Sequence, residues 1–241
     1  MKINWLYIQG FLLIVLVLFL FGFTNYRNEH QKIASVDIKF EEGENLFMNY
    51  QMVNKLLIQN DSTVKNKTKS LIDLNGLEKQ VLSHPMVENA TAYITVDGQL
   101  RISVKQRTPI GRISTSNSSY YIDKQGEFMP LSENYSARVP IVTGISTAEN
   151  IDDLYELLSF ITNDNFLQKQ IVGVQFAGND EFILTTRVGN HKIDFGNLEG
   201  KRTKFKNLKA FYSFTMKNET IENYKQISLK YNNQVVATKK D

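Results

Sequence analysis

The 241-residue chain contains no cysteine, which excludes a disulfide framework and thiolate chemistry. A compartment outside the cell membrane permits disulfides without requiring them, so the absence leaves location open. Histidine is almost as scarce. His30, His84 and His191 stand far apart, with no H-E-x-x-H pair of the kind that holds zinc. His84, placed before Pro85, suits the negative end of a helix dipole. No G-x-S-x-G nucleophile elbow occurs. Neighbouring carboxylates at Asp152-Asp153 and in Glu41-Glu42-Gly43-Glu44 read as a helix N-terminus and a turn, since glycosidase pairs are defined in space. The run Gly196-Asn197-Leu198-Glu199-Gly200-Lys201-Arg202-Thr203 is the nearest approach to a phosphate loop. It has three residues between its glycines where that motif needs four, and Arg202 separates Lys201 from Thr203. It reads as a strand-to-helix turn. The sequence therefore predicts no catalytic residue, no metal site and no cofactor.

Charge is also missing from one long stretch. Residues 5–23, WLYIQGFLLIVLVLFLFGF, carry Gln9 as their strongly polar side chain and no charge. As a helix they cover about 28 Å, close to the ~30 Å hydrocarbon core of a bilayer. Trp5 and Tyr7 near one end, and Tyr26 beyond the other, suit the two interfaces. A buried core helix is the competing reading, but such helices rarely run this long with apolar residues on every face. The apolar run exceeds a secretory signal, and no A-x-A pattern follows it, so an uncleaved anchor is expected. Lys2 on one side, against Arg27 and Lys32 on the other, leaves the positive-inside count undecided. Size sets the expected orientation. Residues 1–4 precede the span and 218 follow it, the form of a signal anchor with a cytoplasmic tail and an extracytoplasmic domain.

Those remaining residues can build one large domain or two small ones. A hydrophobic content of 42% with 11% aromatics argues for packed cores rather than a disordered stalk. The formal charge is +3. Residues 201–241 hold ten Lys or Arg against Glu219, Glu222 and Asp241, so they carry +7 and the remainder −4. Nucleic acid, an acidic partner or envelope polymer, and a solvated lysine-rich face all fit such a segment. A translocated domain meets little nucleic acid, so none is expected. The sequons at Asn60, Asn66, Asn89, Asn117, Asn134 and Asn218 fit chance in a chain rich in Asn, Ser and Thr.

Periodicity gives the organisation. Beyond a polar spacer at 24–34, Val36, Ile38 and Phe40 alternate with polar residues as in a half-buried strand. A turn at 41–45 leads to a helix over 51–59, with Val53, Leu56 and Leu57 on one face; residues 60–70 read as a polar loop. Asn75 and Glu78 have capping-box spacing; Leu77 and Val81 follow on one face, and Pro85 ends the helix. A hairpin comes next. Ala90, Ala92, Ile94 and Val96 share one face, Asp97-Gly98 suits a type I′ turn, and Leu100, Ile102 and Val104 line the return strand. The order through Arg107 is β-α-α-β-β. Val36, Ile38, Ile94, Ile102 and Val104 are expected to face Leu56, Leu57, Leu77 and Val81.

From Thr108 on, strands are expected at 110–113, 120–122, 139–142, 171–176, 182–188, 192–195, 226–231 and 234–238. Turns fall at 123–126, Gly189-Asn190 and Asn232-Asn233. Leu154, Leu157, Leu158 and Ile161 mark one helix; Phe205, Leu208 and Tyr212 mark another over 201–216. The class is α+β, with a mainly antiparallel β-domain carrying two helices.

This order, together with four segments, resembles the FtsQ/DivIB family of bacterial cell-division proteins. Residues 77–87, LEKQVLSHPMV, are similar to its "L…HPWV" segment, and Gln106-Arg107-Thr108-Pro109-Ile110-Gly111 to its "ERTPVA" junction. Tyr121-Ile122-Asp123-Lys124-Gln125-Gly126 and Val139-Pro140-Ile141-Val142-Thr143-Gly144 are similar to "Y-L-V-D-x-x-G" and "L-P-x-L-x-G". The chain departs from the family in its four-residue tail, the long polar insert at 60–70, and Met86 where an aromatic is usual. The resemblance implies a tail at 1–4, a span at 5–23, a spacer at 24–34, a POTRA domain at 35–107 and a β-domain at 108–241. It further implies a non-catalytic scaffold of septum formation in the bacterial inner membrane. The implied partners are FtsB/DivIC-like and FtsL-like single-span coiled-coil proteins, with no small-molecule substrate. In that family the C-terminal strand region docks the coiled-coil partner, which directs attention to Tyr224, Ile227, Leu229, Tyr231 and Val235. The hairpin of 224–238 is expected to pack one face of its first strand on the domain and keep that strand's backbone available at a sheet edge. The competing expectation is that these residues simply close the sheet. Two other functions stay open: an envelope transport or assembly factor bearing a POTRA unit, and a membrane-tethered cell-wall hydrolase.

Overall fold

The computed structural model describes residues 5–41, 47–58, 65, 67–145, 151–231 and 233–240. The expected tail, most of the turn at 41–45, much of the loop at 60–70 and Asn232 of the last turn lie outside the described residues. The chain divides into two compact units, Met1–Gln106 and Arg107–Asp241.

The first unit opens with α1 (Trp5–Glu29), long and apolar enough to cross a membrane. The helix outlasts its apolar stretch by six residues, so Thr24 to Glu29 are helical where a spacer was expected. Nothing between Thr24 and Glu29 breaks a helix, and Thr24 Oγ1 donates back to Leu20 O at 2.7 Å.

A three-stranded sheet follows, made of β1 (Ser35–Phe40), β2 (Val87–Ile94) and β3 (Gln99–Gln106) in the order β1-β3-β2. β3 is central, parallel to β1 and antiparallel to β2. Register puts Ile38 and Ala92 beside Ile102, and Ala90 beside Val104. All of these are buried, as expected of a strand with period-2 alternation. Ile94 is half-buried and Val96 is 86% exposed, because Val96 lies in the turn rather than on the strand. Among the loop residues only Gly98 takes a positive φ, 82°, and Gly98 N donates to Thr95 O at 3.0 Å. That is a three-residue loop ending in a left-handed glycine, not the expected type I′ turn, whose two central residues both need positive φ.

Helices α2 (Tyr50–Ile58) and α3 (Leu74–Leu82) supply Val53, Leu57 and Val81 to this core. The capping box expected at Asn75 gives way to a cap two residues earlier. Asp73 accepts from Gly76 N at 2.9 Å, and a Cβ on residue 76 would stand 2.5 Å from the Asp73 carboxylate. Glu78 is thereby freed to reach β2, where it accepts from Ala92 N at 2.7 Å.

Among the described residues, the second unit is one nine-stranded sheet with three α-helices and a 3-10 turn at Ile221–Asn223. Its strands are β4 (Pro109–Ser114), β5 (Ser119–Asp123), β6 (Phe128–Pro130), β7 (Ile141–Thr143), β8 (Ile171–Gly178), β9 (Glu181–Thr186), β10 (Lys192–Gly196), β11 (Tyr224–Ser228) and β12 (Val236–Lys239). The spatial order is β12-β11-β10-β9-β8-β7-β4-β5-β6. Five of the described pairings are antiparallel and three parallel. Two of the parallel ones arise where helices carry the chain across: α4 (Ile151–Thr162) and the short α5 (Asn165–Gln170) between β7 and β8, and α6 (Lys201–Lys217) between β10 and β11. Parallel neighbours need such crossovers. Leu154, Leu157, Leu158, Phe205, Leu208 and Tyr212 pack with the strands in one continuous core.

Two elements escaped the periodicity reading: β6, three residues closed by Pro130, and α5, a six-residue helix capped by Asp164. At the start of this unit Arg107 Nη1 donates to Asp123 Oδ2 at 2.8 Å. Asp123 is fully buried and its other oxygen accepts from Gln125 N and Glu127 N. The Arg107 and Asp123 segments that carry the family likeness thus meet in one ion pair.

Ile102 is the test of the first core. At 1% exposure, truncation to Ala is expected to cost about 2–5 kcal/mol, read from denaturant unfolding of the extramembrane part. Unchanged stability would mean that the opposite face of β3 is the packed one.

Candidate partner interface

An outermost strand satisfies its backbone on one side only, and its other side can accept a strand from another chain. The edges of the two sheets differ in how open they are. On β2 the outward amides of Ala90 and Ala92 are taken by Asn89 Oδ1 and Glu78 Oε1. β6 is short and ends in Pro130, which has no amide to offer. β1 displays Asp37 and Lys39, and such charges deter edge pairing. β12, Val-Ala-Thr-Lys, has a single charge at its last position.

The foundation of β12 is built strand by strand. β10 pairs β11 in parallel, with Ile193 beside Ile227 and Asp194 beside Ser228, and Leu229 N extends that ladder to Asp194 O at 2.8 Å. β11 pairs β12 antiparallel, with Gln226 beside Thr238 and Ser228 beside Val236. Past β12, Lys240 N donates to Asn223 O at 2.7 Å. Strand alternation then directs the backbone groups of Val236 and Thr238 at β11, and those of Ala237 and Lys239 outward.

This corrects one expectation. β11 was to keep its backbone available; instead β10 and β12 occupy both of its sides. The first strand of a terminal hairpin is sandwiched when the chain returns outside it, so the last strand forms the edge. Of the residues expected at the interface, Ile227 and Leu229 are buried in the core. Val235 packs on the same core from a half-buried position. Tyr224 is half-buried, its ring edge-on to Phe211 of α6 with centroids 5.2 Å apart. Tyr231 is 59% exposed, in the loop after β11 rather than on a strand. The structure therefore puts Ile227, Leu229 and Val235 together as the support of the edge and leaves Tyr231 outside it. The outward positions of β12, Ala237 and Lys239, were missed. No signal in the sequence marks them, because each strand of a hairpin has one neighbour from its own pair and alternation does not say which of the two is the edge.

The basic segment is partly neutralised from within. Lys201 pairs Glu156, Lys209 pairs Asp164, and Lys230 bridges Glu181 at 2.7 Å and Asp194 at 3.1 Å. The hydrogen bond to Glu181 and the nearby Asp194 charge raise the Lys230 pKa. Lys204, in the first turn of α6, donates to Asn197 O and lies 5.0 Å over the Phe195 ring, its pKa lowered by burial. Of the cations at the turn compared with a phosphate loop and in the helix turn after it, Lys201 and Lys204 thus make internal contacts, while Arg202 is exposed. Burial pushes the Asp164 carboxyl up, but Lys209 and the amides of Leu167 and Phe166 outweigh it and hold the pKa low. Burial also lowers the pKa of His84, which weakens any part it plays as a cation at the end of α3.

β10 is seated by a buried polar cluster. His191, 2% exposed, has Nε2 2.5 Å from Tyr212 Oη, while Thr186 Oγ1 and Gln170 Nε2 donate to Val188 O. Burial lowers the His191 pKa and raises that of Tyr212. Among the described residues, no group of three or more His, Asp or Glu side chains converges as a metal site would require.

The class these observations define is an α+β chain in which an apolar N-terminal helix precedes a POTRA-sized β-α-α-β-β unit and a sheet-rich unit. Residues 32–105 match a POTRA-like domain, and residues 108–238 match the family described as FtsQ/DivIB, C-terminal related. The chain belongs to this family of cell-division proteins. It is similar to the cell division protein FtsQ of Salinibacter ruber (strain DSM 13855 / M31), 28% identical over 174 residues. That match spans 66% of this chain and 66% of the relative. The family and the apolar helix together fit a single-pass membrane protein.

The His191 cluster gives a pH test. With its folded pKa below the ordinary 6.5, the unfolded chain takes up a proton that the folded chain resists, so stability falls as pH drops through about 6.5. Glu222 and Lys240 face the same ring with opposite effects. Replacing His191 with Phe is expected to flatten the change in denaturant midpoint between about pH 8 and about pH 5. An identical pH profile in the variant would assign the acid sensitivity to other groups.

Proposed function

We propose that the chain is a membrane-anchored, non-catalytic scaffold of the septum-forming machinery. In this reading α1 spans the inner membrane, both units lie on the extracytoplasmic side, and a single-span coiled-coil partner of the FtsB/DivIC kind adds a strand to β12. An FtsL-like chain joins through that partner. The observation that carries the reading is the outer edge of β12, open along Ala237 and Lys239 and supported by a paired and buried β11. Lys225, Lys239 and Lys240 flank that edge, which favours an acidic partner segment and binding that weakens as salt rises. The internal ion pairs of Lys201, Lys209 and Lys230 make the local field smaller than the +7 of the sequence suggests. Family membership supports division over the transport and hydrolase alternatives.

Proline at 237 or 239 deletes one outward amide and leaves the ladder to β11 intact. Either variant is expected to fold normally and to capture its division partner at least roughly tenfold less well, since the lost bond and the added ring both act at the docked strand. Capture at full strength by both folded variants would remove β12 from the interface and leave β1 as the remaining edge. Protease added from outside to cells with a permeabilised outer envelope is expected to digest everything after α1. A protected full-length chain would reverse the proposed orientation.

A further inference from the structure

The geometry points to a second binding surface on the first unit: the hairpin tip and the 3-10 turn Lys69–Leu71 rest on the membrane and hold anionic phospholipid headgroups. This rests on the reading of α1 as a membrane span. Residues 5–23 fill about 28 Å of the ~30 Å hydrocarbon core, which places Phe23 at its boundary. Thr24 to Glu29 continue the same helix and rise about 9 Å, through a headgroup layer of roughly 5–7 Å. Whatever is fastened to the helix at Asn28 therefore sits at the outer edge of the headgroup layer, about 7.5 Å beyond Phe23.

Two pieces of the POTRA unit are fastened there. Lys69 Nζ donates to Asn28 Oδ1 at 3.0 Å and to Val96 O at 3.2 Å, tying the helix end, the 3-10 turn and the hairpin tip into one knot. Behind it, Lys69 N donates to Gln31 O and Ile33 N to Lys67 O, with Lys32 bridged to Thr68. An open cleft runs between the helix end and these two pieces, walled by Phe23, Tyr26 and Arg27 on the helix and by Ile94, Val96 and Lys69 opposite.

The side chains displayed at this level suit a lipid surface better than water alone. Val96 is 86% exposed and Leu71 74%, both on elements that touch the end of α1. Tyr26, an interfacial residue type, is also exposed. Arg27, Lys32, Lys67 and Lys69 surround the exit of the helix, against Glu29 and Asp97. Apolar tips flanked by cations are the composition that binds an anionic leaflet. The POTRA unit would then be held close to the membrane, rather than swinging from its anchor.

The absence of cysteine makes the test clean, since a single introduced thiol carries the label. The full chain, labelled with an environment-sensitive fluorophore in Leu71→Cys, Val96→Cys, Ser83→Cys or Leu16→Cys, is reconstituted in phosphatidylcholine vesicles with or without phosphatidylglycerol. Quenching by lipids carrying a nitroxide at the headgroup or deep in the acyl chain reports depth. Labels at 71 and 96 are expected to be quenched from the headgroup level in phosphatidylglycerol vesicles, and label 83, at the C-cap of α3 on the chain before β2, is not. Substituting Arg27, Lys32 and Lys67 with Gln, with Lys69 kept for its tether, is expected to lower the docked population by roughly fivefold per charge removed. Deep quenching at 16 with labels 71 and 96 behaving like 83 would overturn the proposal and leave the anchor standing. No deep quenching at 16 would overturn both. Quenching at 71 and 96 that ignores phosphatidylglycerol and the Gln substitutions would also overturn it, because the contact would then not select anionic headgroups.

Discussion

A β-sheet that does not close must end in a strand whose backbone is half satisfied, and much of this structure is arranged around where that strand falls. In the second unit it is β12. Its inner side is fixed by β11, which is fixed by β10, which begins beside the buried His191–Tyr212 pair. Each step spends buried side chains, Ile193, Ile227 and Leu229 among them, on making the next strand rigid. The outcome is a preorganised edge, and preorganisation lowers the ordering cost that a docking strand meets.

The other edges show what an edge looks like when pairing is discouraged. β6 is cut short by Pro130, and β2 has two of its outward amides taken by side chains of its own unit. Glu78 can do this only because Asp73 caps α3 in place of the expected Asn75. A local choice of cap thus decides whether the far side of a sheet is open to other chains. The first unit then has a different use for its hairpin tip, which Lys69 binds to the end of α1.

Much of this was legible in the residues. The alternation around Ile102 and the helical spacing of Phe205, Leu208 and Tyr212 report burial directly, because burial is what selects those periods, and the apolar run of α1 reports a helix long enough to cross a membrane. What periodicity does not encode is which strands are neighbours. Ile227 and Leu229 alternate as an edge strand would, yet they belong to an interior strand, because interior and edge strands that bury one face share one pattern. β6 and α5 are too short for a period to register. The turn at Gly98 was placed correctly and its type was not, since one left-handed residue ends a three-residue loop where the type I′ turn needs two. Charge misled in a similar way: the net +7 of residues 201–241 took no account of acids that the fold brings in from Glu156, Asp164 and Glu181.

The central claim is that β12 is the strand onto which a division partner docks, and crosslinking in growing cells addresses it most directly. A photoreactive residue at position 236, exposed on β12, is compared with one at Tyr93, exposed on the first sheet. The account predicts that position 236 traps a single-span coiled-coil division protein and that position 93 does not. Trapping of that partner from position 93 with none from position 236 would contradict it.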